Sequence, residues 1–244
     1  MLLAVDVGNT RVKAAVFEEN VILKTYIFES EIFLSQIEII LKKFPKIEHL
    51  VMASVGKLDE NLLQPLSEMV ETVIVSRDFQ FPFQNLYETP QTLGIDRLVL
   101  ASGATLLFAN QNRLVIDAGT CITYDFVNNQ NQYLGGAISP GIKLRYKSMN
   151  DYTAKLPLLE TQNPKNFIGK TTAESMHSGV INGVIGEIEG FINRYQTDFS
   201  NFTIILTGGD AEFLAKRLKN TIFANSNFLL ESLNILFQYK IKND

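Results

Sequence analysis

The stretch LAVDVGNTRVKAAVF, residues 3–17, places an aspartate inside the first apolar run of the chain. Leu3 to Val7 has the composition of a buried strand interrupted by Asp6, and Gly8 then begins a turn. A carboxylate in apolar surroundings is costly unless it is paired, hydrogen-bonded or bound to a metal. The stretch therefore predicts a strand that either ends at Asp6 or presents Asp6 to a binding site.

The same pattern returns in RLVIDAGTCITYDFV, residues 113–127, as an apolar run, Asp-x-Gly, a threonine and another strand. A repeat of this size indicates a duplicated domain, because solenoid units are about 20 to 50 residues long. We predict an α/β protein with two βββαβα lobes, residues 1–112 and 113–244, and expect the ligand site in the cleft between them.

The spacing of apolar residues and turns gives the order of elements. Short turns at Gly8-Asn9 and Glu19-Asn20 predict an antiparallel meander of three strands. Apolar helices are predicted from Asp96-Arg97 to about Phe108, from about Thr172 to Tyr195, and over residues 229–241. A third strand of the second half is predicted at Gln132 to Ile138.

The composition excludes several classes of protein. The 244 residues carry a net charge of −4, which gives no basic field for nucleic acid. The single cysteine, Cys121, allows no internal disulfide; we expect it to be a buried, inert thiol and the protein to be cytoplasmic. We expect no membrane span. His49 and His177 have no companions at ligand spacing, so no zinc site is expected.

The two Asp-x-Gly turns suit nucleotide phosphates. Gly8 and Gly119 let the backbone approach phosphate oxygens closely. Asn9, Thr10 and Thr120 supply donors, and the two aspartates, Asp6 and Asp117, can hold cations. An ordinary pair of turns is the alternative; the duplication favours a phosphate site.

A third feature is YETPQTLGIDRLVLASGA, residues 87–104, in which Asp96 and Arg97 open an apolar helix. Asp96 alone suits the positive end of a helix dipole, whereas Arg97 does not. An adjacent acid and base also suit a pocket that binds a carboxylate and deprotonates a hydroxyl. The spacing leaves both interpretations open.

Two glycine-containing stretches and a threonine-rich one complete the motifs. Backbone amides of GGAISPG (135–141) could face a ligand, and TGGDA (207–211) joins a strand to a helix with Asp210 as its N-cap. Thr171, Thr172 and Glu174 open the long helix, where capping is the simplest role. That helix carries apolar residues on more than one side, including Met176, Ile181 and Ile185, which suits either a subunit interface or burial within its own lobe.

In this order, the motifs resemble the type III pantothenate kinases, within the superfamily of acetate kinase, sugar kinases and actin, which share an actin-like or ribonuclease H-like ATPase fold. The resemblance covers nearly the whole chain and rests on DVGNTRVK (6–13), YETPQTLGIDR (87–97), DAGTCITYD (117–125), GGAISPG (135–141), IGKTTAESMHSG (168–179) and TGGDA (207–211). Cys121 and Thr171 depart from the usual residues of the family.

The resemblance implies an ATP-dependent kinase that phosphorylates pantothenate to 4'-phosphopantothenate, the first step of coenzyme A biosynthesis. Asp96 would be the general base, and Asp6 would hold Mg²⁺ on ATP. Asp117 would hold a monovalent cation, K⁺ or NH₄⁺. The implied ATP contacts are Asp6, Val7, Gly8, Asn9, Thr10, Arg11, Val12, Lys13 and Thr120, and the implied pantothenate contacts are Tyr87, Gly94, Ile95, Asp96, Arg97 and Thr172.

In this family Thr172 would come from the neighbouring subunit, which implies a homodimer with shared active sites. Three alternatives stay open from the sequence. They are an ATP-binding regulatory accessory protein of the same fold, a kinase of another small hydroxy-acid or sugar, and an actin-like filament former.

Overall fold

The computed structural model describes residues 1–8, 11–54 and 60–243; for residues 60–63 it describes the backbone only. The chain forms two compact units. Unit 1 comprises Met1–Ala109, Asn131–Tyr133 and Asn227–Asp244; unit 2 comprises Asn110–Gln130 and Leu134–Ser226. These units differ from a division of the sequence at residue 112, because the chain returns to unit 1 at residues 131–133 and again at its C-terminal helix.

The described chain alternates short strands with helices. The strands are β1 (Leu2–Val7), β2 (Val12–Glu18), β3 (Val21–Phe28), β4 (His49–Ser54), β5 (Glu71–Ile74), β6 (Gln84–Asn85), β7 (Asn112–Ala118), β8 (Cys121–Val127), β9 (Gln132–Pro140), β10 (Phe202–Thr207) and β11 (Phe223–Ala224). The α-helices are α1 (Phe33–Lys43), α2 (Glu60–Met69), α3 (Ile95–Leu107), α4 (Ile142–Asp151), α5 (Thr172–Asp198), α6 (Ala211–Ala215) and α7 (Phe228–Asn243). Two 3₁₀ turns cover Ser30–Ile32 and Pro90–Thr92.

The first sheet has the strand order β3-β2-β1-β4-β5. Strands β1, β2 and β3 pair antiparallel, as the short turns predict, and β4 and β5 add in parallel to β1. The second sheet repeats this order as β9-β8-β7-β10-β11. Strand β6 extends it by pairing with Gln132 and Tyr133 of β9, and those two residues belong to unit 1. The two matching sheets confirm the predicted duplication.

Each unit has its own apolar core. In unit 1, β1, β2 and β4 pack against α1, with Leu3, Val5, Ile37 and Ile40 completely buried. In unit 2, β7, β8 and β10 pack against α5 and α6, and α5 buries six apolar side chains there: Met176, Val180, Ile181, Val184, Ile188 and Ile192.

Helix α7 is the reason that the end of the chain belongs to unit 1. It crosses α3 so closely that a Cβ atom on Gly103 would overlap the side chain of Ser232. Asn234 also donates from its Nδ2 to the carbonyl of Glu19 in the β2–β3 turn, at 2.9 Å. This packing holds α3, and with it Asp96, against the first sheet.

Candidate active site

Asp6 is the next-to-last residue of β1 and lies opposite Lys13 of β2. Burial is the main cause that raises the pKa of its carboxyl from 3.8 to about 6; Lys13 lowers this pKa and Asp96 raises it. The structure therefore brings Asp6, Lys13 and Asp96 together within unit 1. A half-buried carboxylate that is costly to ionise suits a divalent cation, since Mg²⁺ is held in nucleotide sites by one or two carboxylates and phosphate oxygens.

The turn after Asp6 is only partly described. The amide of Gly8 donates to the carbonyl of Arg11 at 3.2 Å, which joins the two ends of the turn. The predicted ATP contacts Asn9 and Thr10 lie outside the described residues. Among the other residues of the motif, the side chain of Val12 is buried in the core, so only its backbone can contact a ligand; Val7 is half-buried.

Arg11 differs from the rest of this motif in having an exposed side chain. Its Nε lies 3.6 Å from the Oε1 of Glu29 in an exposed ion pair. Such pairs contribute little to stability, so Arg11 can turn towards a phosphate at small cost.

The start of α3 gathers the predicted acceptor residues. Gly94 is the N-cap, with extended backbone angles, and Asp96 lies in the first turn. The Oδ1 of Asp96 accepts from the amide of Arg97 at 2.9 Å. A Cβ atom at Gly94 would overlap that same oxygen. The glycine thus makes room for the carboxylate.

Arg97 is buried although it is a cation, with 6% of its surface exposed. Its guanidinium carbon lies 5.8 Å from the centre of the Tyr87 ring, a cation–π arrangement. Ile95, also predicted to contact the acceptor, is buried, so its side chain packs in unit 1. Asp96, Arg97 and Tyr87 thus place a carboxylate, a guanidinium and a phenol together, which suits an acceptor with a hydroxyl and a negative charge.

In unit 2, Asp117 occupies the same position in β7 that Asp6 has in β1. It is the next-to-last residue of its strand, opposite Thr123 of the antiparallel β8 and beside Thr207 of the parallel β10. Gly208 follows with a φ of +94°, and a Cβ atom there would overlap the Oδ1 of Asp117 and the carbonyl of Ala118. Only glycine fits this close approach.

The turn after Asp117 is held by the GGAISPG segment. The amide of Gly119 donates to the carbonyl of Cys121 at 2.9 Å, and the amide of Gly141 donates to the carbonyl of Thr120 at 3.0 Å. A Cβ atom on Gly141 would overlap the carbonyls of Gly119 and Thr120. Thr120 is exposed, so its hydroxyl is accessible to a ligand.

Asp210 lies next to this turn. Its amide donates to the carbonyl of Ala118 at 3.0 Å. Burial raises the pKa of its carboxyl, and Lys143 opposes that rise. Asp210 is the N-cap of α6 as predicted, although its side chain makes no capping hydrogen bond. The carboxylates of Asp117 and Asp210 thus place two oxygen donors near this turn, and hard cations prefer oxygen ligands.

Thr172 is the first residue of α5 and is exposed. The preceding Thr171 caps the helix by accepting from the amide of Glu174 at 3.2 Å, so the expected capping role is present. A cavity of about 840 Å³ opens beside this helix start. It is lined by Arg145, Ser148, Met149, Leu156, Gly169, Lys170, Thr171, Thr172, Ser175, Met176, Gly179 and Val180.

A polar cluster in unit 2 was not predicted. The Oε1 of Glu187 accepts from Ser139 at 2.5 Å and from Tyr124 at 2.9 Å, while its Oε2 accepts from Arg145 at 2.5 Å. Arg145 also donates from Nε to the carbonyl of Pro140 at 2.8 Å. The cluster thus ties α4 and α5 to the GGAISPG segment. Its only sequence signal is that Ser139 and Pro140 belong to that motif.

One expectation from the sequence is wrong. Cys121 is exposed rather than buried, because it is the first residue of β8, directly after the turn. For the apolar residues on the several sides of α5, the sequence left a subunit interface and burial within the same lobe as alternatives. Met176 and Ile181 are buried in the core of unit 2, and Ile185 packs against that core, which favours burial.

The described residues contain no group of three or more histidine, cysteine, aspartate or glutamate side chains arranged to hold a metal ion. A Mg²⁺ ion carried by ATP needs no such group, since phosphate oxygens and water complete its ligands. Within the same part of the chain, no helix has both the length and the apolar character needed to cross a membrane.

Comparison with known proteins identifies the same family that the motifs resemble. The sequence profile of the type III pantothenate kinase family matches residues 2–194. A type III pantothenate kinase of Flavobacterium johnsoniae is 59% identical over 244 residues, which is the full length of both chains. That of Christiangramia forsetii is 44% identical over 98% of each chain.

Solved structures show the fold. A Campylobacter jejuni protein named for the Baf family of transcriptional activators superposes with a TM-score of 0.67 at 22% identity, over 98% of this chain and 99% of that one. A glucokinase from an Antarctic psychrotroph (TM-score 0.53, 14% identity, 97% and 98%) and MreB5 of Spiroplasma citri (TM-score 0.51, 11% identity, 99% and 97%) share it. These likenesses confirm the predicted fold class of sugar kinases and actin-like proteins.

The matching profile spans most of the chain, and the relatives match it from end to end. The chain therefore belongs to the type III pantothenate kinase family.

Proposed function

We propose that this protein transfers the γ-phosphoryl group of ATP to the primary hydroxyl of pantothenate, the first step of coenzyme A biosynthesis. Family membership supports the kinase activity and its two substrates. The observation that carries the proposal in this chain is the cluster of Asp96, Arg97 and Tyr87 within unit 1, close enough to Asp6 for the charge of Asp96 to act on it. We place the reaction in the cytoplasm.

Phosphoryl transfer passes through a loose transition state, so positioning and neutralisation of charge dominate catalysis. Asp6 would hold the metal ion of the nucleotide, and Lys13 and the backbone at Gly8 would contact the phosphates. When bound, Mg²⁺ neutralises charge on the phosphate oxygens. Lys13, opposite Asp6 in the β1–β2 hairpin, adds positive charge on the same side.

Asp96 accepts the proton of the pantothenate hydroxyl as the phosphoryl group moves to that oxygen. Its Oδ1 is tied to the amide of Arg97, which fixes the direction of the carboxylate. Arg97 pairs with the carboxylate of pantothenate, while Tyr87 and the backbone near Gly94 contact its amide. Buried guanidinium groups make strong, directional bonds to carboxylates.

Asp117 would hold a monovalent cation, K⁺ or NH₄⁺, beside the second phosphate turn, and Thr120 would contact ATP. The oxygen donors of Asp117 and Asp210 and the overlap of any Cβ at Gly208 with the Asp117 carboxylate support this role. A cation here would supply charge neutralisation to a chain that has 26 acidic and 22 basic residues.

We further propose a homodimer in which Thr172 of one subunit completes the pantothenate site of the other. The segment before Thr172 carries four exposed apolar side chains, Tyr152, Leu158, Phe167 and Ile168. Phe167 and Ile168 have 81% and 75% of their surface exposed and lie just before residues that line the cavity. Neighbouring exposed apolar side chains, such as those of Phe167 and Ile168, are a feature of interaction surfaces when they form a patch.

The test is release of ADP by the purified protein with and without pantothenate, in potassium and in sodium buffer. We expect ADP release that depends on pantothenate. The Asp96→Asn protein, purified in the same way, should release none, because a contaminating kinase would be present in both preparations. ADP release with another hydroxy-acid or a sugar but not with pantothenate would show a kinase of a different small acceptor. ATP binding without ADP release in the presence of any acceptor would favour an ATP-binding regulatory protein. Either result would overturn the proposal.

A further inference from the structure

A row of aromatic rings in unit 1 leads to the acceptor cluster. Phe79, Phe81, Phe83, Tyr133 and Tyr87 follow one another with ring-centre distances of 6.0, 5.6, 5.7 and 6.2 Å. The guanidinium of Arg97 then lies over the Tyr87 ring. We call these five rings the aromatic row. Four of its members come from residues 79–87, and Tyr133 comes from β9.

Tyr133 is the central ring and is completely buried. Its backbone is fixed by pairing with Asn85 of β6, and its carbonyl accepts from the amide of Leu86 at 3.0 Å. The side chain of Asn85 in turn accepts from the amide of Tyr87 at 3.0 Å. Both the backbone and the ring of Tyr87 are therefore held by the contact with β9.

We propose that Tyr133 is a positioning residue for the acceptor site, which fixes the ring of Tyr87 and through it the guanidinium of Arg97. This inference rests on the proposed function, in which Tyr87 and Arg97 bind pantothenate. Tyr87 is half-buried, and among the aromatic rings it contacts Tyr133. Without that ring, Tyr87 loses the ring that supports it next to its contact with Arg97.

The interaction energies set the size of the effect. An aromatic pair contributes about 0.5–1.5 kcal/mol beyond the area it buries, which corresponds to about a two- to twelvefold change in an equilibrium constant. Because the row acts on binding of the acceptor and not on the reacting atoms, its loss raises the KM for pantothenate. The value of kcat and the KM for ATP change by less than about twofold.

The experiment compares three variants in the ADP assay. Tyr133→Leu removes the ring, Tyr133→Phe keeps the ring without its hydroxyl, and Phe81→Leu removes a ring of the same row that does not contact Tyr87. We expect about a two- to twelvefold higher KM for pantothenate in Tyr133→Leu only. Tyr133→Phe should keep the wild-type KM for pantothenate. Should Tyr133→Leu not fold, Tyr133→Met, whose flexible side chain fills irregular core space, takes its place with the same expectation.

Arg97→Met separates this inference from the proposed function. A large rise in the KM for pantothenate in Arg97→Met, without any rise in the Tyr133 variant that lacks the ring, overturns the positioning role and leaves the proposed function intact. An unchanged KM in Arg97→Met overturns both. Equal losses in Tyr133→Leu and Phe81→Leu, or a parallel loss of kcat and of ATP affinity, show general damage to unit 1 and also overturn the positioning role.

Discussion

The carboxyl groups of Asp6 and Asp96, from β1 and from the first turn of α3, interact within unit 1. Burial is the main cause that raises the pKa of Asp6 to about 6, and the negative charge of Asp96 adds to that rise while Lys13 opposes it. The protein thus keeps a carboxylate where its ionisation is unfavourable without a cation. This pairing gives a prediction about stability as well as about activity.

We expect Asp6→Asn to stabilise the nucleotide-free protein while abolishing its activity. The folded state of the wild type favours the protonated form of Asp6, so the stability that this carboxyl contributes is present below its unfolded pKa of 3.8 and is lost as the pH rises through about 6. Two pKa units correspond to about 3 kcal/mol. Urea unfolding without Mg²⁺ should therefore show the two proteins alike near pH 4 and the variant more stable by up to about 3 kcal/mol at pH 8.

The control for this experiment is Glu18→Gln, which removes an exposed carboxylate at the end of β2. It should unfold like the wild type at each pH. A wild-type protein as stable as Asp6→Asn at pH 8 would show that ionised Asp6 costs the fold nothing, against the prediction.

Asp96→Asn should lower kcat and leave the fold unchanged. The amide is nearly isosteric and can still accept from the amide of Arg97, but it cannot take the proton of the hydroxyl. Loss of a general base costs about 10²- to 10⁴-fold in rate. Steady-state kinetics should show the deficit in kcat, with ATP affinity kept; turnover close to that of the wild type would rule out Asp96 as the base.

Gly94→Ala tests the space that the glycine leaves for Asp96. The backbone angles at Gly94 are φ −62° and ψ 138°, which alanine adopts freely. The added methyl group would overlap the Oδ1 of Asp96, a side-chain atom that can move away. We therefore expect unchanged thermal stability and a clear fall in kcat.

Gly190→Ala in α5 is the matched control, since a Cβ atom there meets nothing within 4 Å. It should keep full activity and gain stability by about 0.5–1 kcal/mol, because alanine favours a helix over glycine. Full activity in Gly94→Ala as well would mean that the position of the Asp96 carboxylate is not critical.

Asp117 should determine the response to monovalent cations. We expect low activity in sodium buffer, recovery in potassium or ammonium, and a blunted response in Asp117→Asn, because an amide supplies only a dipole where a full negative charge is needed. Asp151→Asn removes a carboxylate of unit 2 that pairs with Lys147 and should respond normally. Equal activity of the wild-type protein in sodium and potassium would refute the cation site.

Mixing two inactive variants tests the shared site. Asp96→Asn lacks the base, and Thr172→Arg blocks the pantothenate pocket with bulk and charge. If each site combines Asp96 of one subunit with Thr172 of the other, a mixed dimer has one intact site. Random pairing of equal amounts makes half of the dimers mixed, so about a quarter of wild-type activity should return after the two are unfolded and refolded together.

Different tags on the two variants would show whether their subunits form mixed dimers in that experiment. If the site is built within one chain, every site carries a lesion and no activity returns. Exchange without recovery would therefore contradict the shared site, whereas each variant refolded alone should stay inactive under either arrangement.

The sequence by itself determined what depends on neighbours along the chain. Alternating and helical spacing of apolar residues, and the turns at Gly8 and Gly119, predicted the meander, the helices and the duplication, because these signals act over a few residues. The motifs also predicted Asp6, Asp96 and Asp117 as candidate site residues, since buried runs rarely contain a carboxylate.

Only the tertiary structure decided which distant side chains meet. No local pattern links Glu187 to Ser139 and Arg145, or Tyr133 to Tyr87, because those contacts arise where separate strands and helices pack. The same reason explains the return of α7 to unit 1 at the contact of Gly103 with Ser232. Burial and electrostatic coupling, such as the raised pKa of Asp6, depend on everything packed around a group and so become visible only in the folded chain.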